Sequence, residues 1–133
     1  MQIRRQLEQI KIWQMTKEMD LPTDKAERFF PLYNKYNDQI GDITTKRREY
    51  LQRLDSTVTS GATDGEVRRQ VNGILALDNK LAEAHTGFIK SLQGILSPME
   101  VAKYMVFEQR FDREIRDRVR VIMQQRMRGR GGR

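Results

Sequence analysis

Two runs of heptad spacing constrain this chain more than anything else in it. Ala26, Phe29, Tyr33, Tyr36, Ile40, Ile43, Arg47, Tyr50 and Leu54 recur at alternating spacings of three and four. Val67, Val71, Ile74, Asp78, Leu81, His85, Phe88, Leu92 and Ile95 repeat the pattern. Such spacing gives a helix with one narrow packing seam. Between the runs lie residues 56–65, STVTSGATDG, small, polar and carrying two glycines. The expectation is an antiparallel helical hairpin. Its helices span about Asp24 to Leu54 or slightly beyond, and about Asp64 to Ile95. Pro31 inside the first of them predicts a bend.

A shorter helix should precede the hairpin, from about Gln2 to Met19, with Ile3, Leu7, Ile10 and Trp13 or Ile12 on one side. Leu21-Pro22 ends it, and Thr23 is an N-cap candidate with Asp24 and Glu27 in the following turn. The last helix has the clearest start. Ser97 as N-cap, Pro98 at N1 and Glu100 at N3 form a capping box. It should run to about Gln125, leaving an Arg/Gly-rich tail, 126–133, with the composition of a disordered segment. The predicted class is all-α, four helices, with residues 1–125 as one helical domain.

The two helix starts are related. Residues 21–40 align without gaps on residues 96–115. Phe29 falls on Tyr104, Phe30 on Met105, Leu32 on Phe107, Tyr36 on Phe111 and Ile40 on Ile115. Side-chain size and helical phase are kept while identity is mostly lost.

Only 38% of the 133 residues are hydrophobic and 32% are charged. Such a chain can bury seams between helices rather than a thick core, and association is the usual remedy. The net charge of +7 is uneven. Residues 1–115 hold 18 basic and 17 acidic side chains, whereas residues 116–133 hold seven arginines and one aspartate. A charge argument for nucleic acid or an anionic surface therefore applies only to the C-terminal end. There are no cysteines, which excludes disulfides, thiolate zinc sites and cysteine nucleophiles.

A hairpin flanked by a short leading helix and a trailing one, with two starts of the form Leu-[Ser/Thr]-x-x-[Gln/Glu], resembles the LTxxQ-motif family of Spy, CpxP and ZraP. The CnrX-type metal sensors resemble it more distantly. The second copy, Leu96-Ser97-Pro98-Met99-Glu100, is a close variant; in the first, Leu21-Pro22-Thr23-Asp24-Lys25, the threonine is displaced by one. The motif residues Leu21, Thr23, Leu96, Ser97 and Glu100 cap and orient helices and do no chemistry. The resemblance implies a cradle-shaped homodimer in the periplasm. Its members buffer envelope stress by binding unfolded proteins without ATP, by tuning a membrane sensor, or by sensing metals. With Met1 in place of a removed leader the expected location is the periplasm; with Met1 as native start it is the cytoplasm.

No catalytic constellation accompanies the charged residues, so the chain is read as a binding protein without cofactor or metal, not an enzyme. His85, the lone histidine, is expected on the third-helix seam with a structural role. Arg47 and Asp78 each interrupt a seam. With a pivot near residue 60 they are near neighbours, either as a register-fixing ion pair or as solvated groups in a thin, one-layer seam. Candidate contacts to a client protein are the apolar Trp13, Phe30 and Leu51. To these are added the basic cluster at the hairpin tip, Lys46, Arg47, Arg48, Arg53, Arg68 and Arg69. The leading expectation is an ATP-independent periplasmic stress chaperone or adaptor that binds non-native or partner proteins. One alternative is a metal- or stress-sensing regulator acting on a membrane sensor or sigma-factor pathway. Another is a cytosolic nucleic-acid-associated protein using the arginine-rich end, an end whose composition also suits an anionic membrane surface.

Overall fold

The computed structural model describes residues 2–131, with side chains from 5 to 129. The described chain is all-α. It comprises α1 (Gln2–Met19), α2 (Thr23–Ser60), α3 (Asp64–Gln93) and α4 (Pro98–Gly131). It divides into two compact units, one of residues 23–95 and the other of residues 1–22 with 96–133.

The first unit is the α2–α3 hairpin. Its core is a line of side chains: Phe29, Tyr33 and Ile43 from α2, and Ile74, Leu77, Phe88 and Leu92 from α3, all buried. Tyr36 stacks on Phe88 with ring centroids 4.4 Å apart and planes 3° from parallel. The α2 seam follows the predicted phase. The α3 seam keeps its spine, residues 67, 74, 81 and 88, but fills the intervening places with Gln70, Leu77 and Ala84. The expected Val71 and His85 are exposed, and Asp78 sits at the margin. The cause is chemical. Placing Leu77 and Ala84 inward buries apolar groups and leaves the carboxylate of Asp78 where a cation can reach it.

The connection is much shorter than the ten-residue loop expected. α2 continues through Ser60, because Thr59 and Ser60 hydroxyls donate back to the carbonyls of Asp55 and Thr57. Gly61 then takes φ 74°. Its N–H donates to the Val58 carbonyl, and Ala62 N–H donates to that of Thr57. This is a Schellman ending, which needs a residue tolerant of the left-handed region. Thr63 caps α3 at once, its side chain accepting from Glu66 N–H. The turn centres the hairpin on residue 62 instead of 60, so Arg47 meets Asp78 directly: Nε donates to Oδ1 at 2.7 Å. The pair is about two-fifths exposed, so it contributes register more than stability.

Two glycines inside α3 differ in what surrounds them. A Cβ on Gly87 would meet nothing within 4 Å, whereas one on Gly73 would lie 2.8 Å from the Tyr50 ring. Gly87→Ala is therefore expected to stabilise the hairpin by about 0.5–1 kcal/mol. Gly73→Ala should fall short of that gain, because the ring must shift. Urea midpoints of the two variants check this.

In the second unit α1 packs on α4. Met15 and Met19 are buried from α1; Val101, Tyr104, Phe107 and Phe111 are buried from α4, with Leu96 just before it. The expected face of α1 is rotated. Ile10 and Trp13 are exposed, and Leu7, Lys11, Met15 and Met19 form the inward line; the side chain of Ile3 lies outside the described residues. Lys11 faces inward because its ammonium has an anion there: Nζ lies 2.8 Å from Glu108 Oε2 and donates to Oε1 at 3.0 Å. Tyr104 Oη donates to the same carboxylate at 3.1 Å. Glu18 and Arg110 form a second α1–α4 ion pair.

α1 ends with Asp20 in the left-handed region, φ 44°, its N–H donating to the Thr16 carbonyl, and Pro22 follows. At the start of α4 the predicted capping box is present in both directions. Ser97 N–H donates to Glu100 Oε1 at 2.8 Å, and Glu100 N–H to Ser97 Oγ at 3.2 Å. The related start differs, since Thr23 is itself the first helical residue of α2. α4 runs past Gln125 to Gly131, into the segment expected to be disordered; residues 132–133 lie outside the described residues.

Near this interface Asp112 remains exposed to solvent overall, yet partial burial of its carboxyl raises its pKa, with Lys11 and Arg116 opposing the rise and Glu108 adding to it. A carboxyl whose folded pKa is raised favours folding most when protonated, so its ionisation costs stability as pH rises through that pKa. Asp112→Asn is expected to raise the melting temperature at pH 7, and the gain should vanish near pH 3. Paired thermal melts at the two pH values test the sign.

Candidate functional surface at the hairpin tip

Helical spacing sorts the tip residues onto two flanks of the hairpin. One flank is marked by an open groove of about 640 Å3, lined among others by Lys35, Gln39 and Asp42 of α2 and Lys80, Glu83 and Gly87 of α3. Continuing the same helical rows toward the turn passes Lys46 and then brings Arg53 near Arg69 and Gly73. There a smaller cavity of about 230 Å3 is lined by Tyr50, Arg53, Arg69, Gln70 and Gly73. The Arg53 guanidinium lies 5.8 Å from the Tyr50 ring centroid. Gln70 donates from Nε2 to Thr57 Oγ1 at 2.9 Å, while its buried Oε1 has no hydrogen-bond partner.

The opposite flank is more apolar. On α2 the row is Arg48, Leu51, Asp55 and Val58, and on α3 it is Arg68, Val71, Leu75 and Asp78. Leu51, Val58, Val71 and Leu75 are all large apolar side chains left exposed, Leu75 at 53% and Val58 at 65%. Arginines 48 and 68 are exposed beside them.

The basic cluster expected as one patch is thus divided. Lys46, Arg53 and Arg69 lie with the grooved flank, Arg48 and Arg68 with the apolar one, and Arg47 in the seam is engaged by Asp78. Of the predicted apolar contacts, Leu51 is on the apolar flank. Phe30 is half-buried, edge-on to Phe29 at 5.1 Å. Trp13 belongs to the α1–α4 unit, 60% exposed with Lys17 Nζ 4.3 Å from its ring centroid. The motif residues fall at the helix starts: Leu96 is buried, Leu21 half-buried, and Ser97 and Glu100 cap α4.

Sequence reasoning missed Val58, Val71 and Leu75. Val58 falls in the stretch expected as a loop and Val71 on the expected seam, and Leu75 lies four residues past Val71, which is a helical row. His85, expected in the seam, is exposed with its ring 6.3 Å from that of Tyr36. Among the described residues no group of three or more His, Asp or Glu is placed to hold a metal ion.

An elongated surface with alternating guanidinium and aliphatic groups can engage extended polypeptide through both kinds of contact. No family model, curated protein or solved structure matches the chain.

Proposed function

We propose that this chain is an ATP-independent stress chaperone or adaptor, a binding protein and not an enzyme, that holds non-native or partner polypeptides on the hairpin tip. The carrying observation is the apolar flank, where Leu51, Val58, Val71 and Leu75 stay in solvent beside Arg48 and Arg68. Aliphatic groups on a thin hairpin bind exposed apolar segments of an unfolded chain, and nearby guanidiniums attract acidic ones and speed encounter. The resemblance to the LTxxQ-motif family supports the same reading and adds a homodimer acting in the periplasm.

The test is light scattering from a chemically unfolded client, at low and high salt and without nucleotide. Suppression at stoichiometric ratios, weakened by salt, is the expected result. Leu51→Asp with Leu75→Asp should lower the apparent affinity for client by about thirtyfold or more, the size of an interface hot spot. If the protein leaves aggregation of every unfolded client unslowed, the chaperone reading is wrong.

A further inference from the structure

The arginine-rich end of α4 is a second exposed surface, and it has no part in the reading above. α1 covers only the first half of α4. Burial stops at Phe111, Ile115 is half-buried, and every residue from Arg116 to Gly129 is exposed. Within this bare stretch Ile115, Val119, Ile122 and Met123 stand at i, i+4, i+7 and i+8, one aliphatic row along the helix. Val119, Ile122 and Met123 are each about half or more in solvent. Arg116, Arg118 and Arg120 border the row, and Arg126 and Arg128 follow it, against the single acid Asp117.

We propose that this segment of α4, residues 115–129, lies on the surface of an anionic phospholipid bilayer, with its aliphatic row at the acyl boundary and its arginines on lipid phosphates. A second copy of the segment fits poorly, because it would bring a second excess of four positive charges, five arginines against one aspartate, against the first. Single-stranded nucleic acid would satisfy the arginines, but no aromatic side chain follows Phe111 for bases to stack on, and the aliphatic row would remain in water. A bilayer surface uses both features. Arginine stems reach past an apolar row to the headgroups, and basic amphipathic helices bind by apolar burial plus attraction to anionic lipid. Among the described residues no helix is long and apolar enough to cross a membrane, so this one lies on it.

The experiment is flotation of the full-length protein with vesicles of phosphatidylglycerol and phosphatidylcholine in equal parts, against vesicles of phosphatidylcholine alone. Binding to the anionic vesicles only, reversed by salt, is expected. Each arginine at such a surface contributes about fivefold to partitioning. The triple variant Arg116→Gln, Arg118→Gln, Arg120→Gln should therefore lose about a hundredfold. Ile122→Asp should lose about tenfold or more, whereas Ile122→Leu should bind as the parent does. All the altered side chains are exposed, so helix content should be kept, and circular dichroism of each variant is the check. Three results would each overturn the proposal: undiminished binding by Ile122→Asp, equal binding to neutral vesicles, or capture of an RNA oligonucleotide or acidic polypeptide without vesicle binding.

Discussion

Phe88→Ala will cost the hairpin about 3–5 kcal/mol, the range for removing a large aromatic from a packed core. Phe88 is 5% exposed. Tyr36 stacks on it, and the rings of Phe29 and Tyr33 lie at 6.4 Å centroid separation. Truncation therefore removes three ring contacts together with the apolar burial, and a two-helix layer has little surrounding structure to collapse into the space. Small domains are stable by only about 5–15 kcal/mol, so the loss takes a large share of the total. Urea unfolding followed by helical ellipticity measures it. Leu75→Ala supplies the control, because Leu75 is more than half exposed and its truncation should stay within about 0.5 kcal/mol.

Pro31→Ala is expected to act in the opposite direction, stabilising α2 by about 1–3 kcal/mol. Pro31 lies well inside a helix that continues on both sides. It can donate no N–H to the Glu27 carbonyl, and its ring crowds that carbonyl; an interior proline costs about 3 kcal/mol relative to alanine. Pro31 and Glu27 are exposed, so water satisfies part of the lost bond and the gain is smaller than the full penalty. An increased urea midpoint with an unchanged slope is the result to look for. A lowered midpoint would mean that the packing of Phe29 and Phe30 depends on the proline.

The helices could be read from spacing because a seam of threes and fours has one structural solution, and the Ser97–Glu100 box because its residues act on backbone groups a few positions away. The phase of α3 could not. Residues 67, 74, 81 and 88 serve two seams equally well, one completed by Val71, Asp78 and His85 and one by Gln70, Leu77 and Ala84. Only packing against α2 decides between them. That ambiguity hid the apolar flank, since Val71 could not be both core and surface. The length of the connection is not legible either, because serine and threonine near a glycine suggest a loop, yet their hydroxyls can also bond back to their own helix, as those of Thr59 and Ser60 do. Lys11 shows the same limit. Nothing near it in sequence reveals that Glu108, 97 positions on, would draw it inward.

The three-residue turn at Gly61 also sets an order of assembly. Contacts near it join residues close in sequence, such as Thr57 with Gln70 across 13 positions, and those farther out span more, such as Arg47 with Asp78 across 31. Closing a short loop costs less chain entropy than closing a long one. The hairpin is therefore expected to zip from its tip outward, each rung shortening the loop for the next. The aromatic cluster around Phe88, at the far end, joins late. Substitutions at the tip should then change mainly how fast the hairpin forms, and those at the aromatic end how long it stays closed.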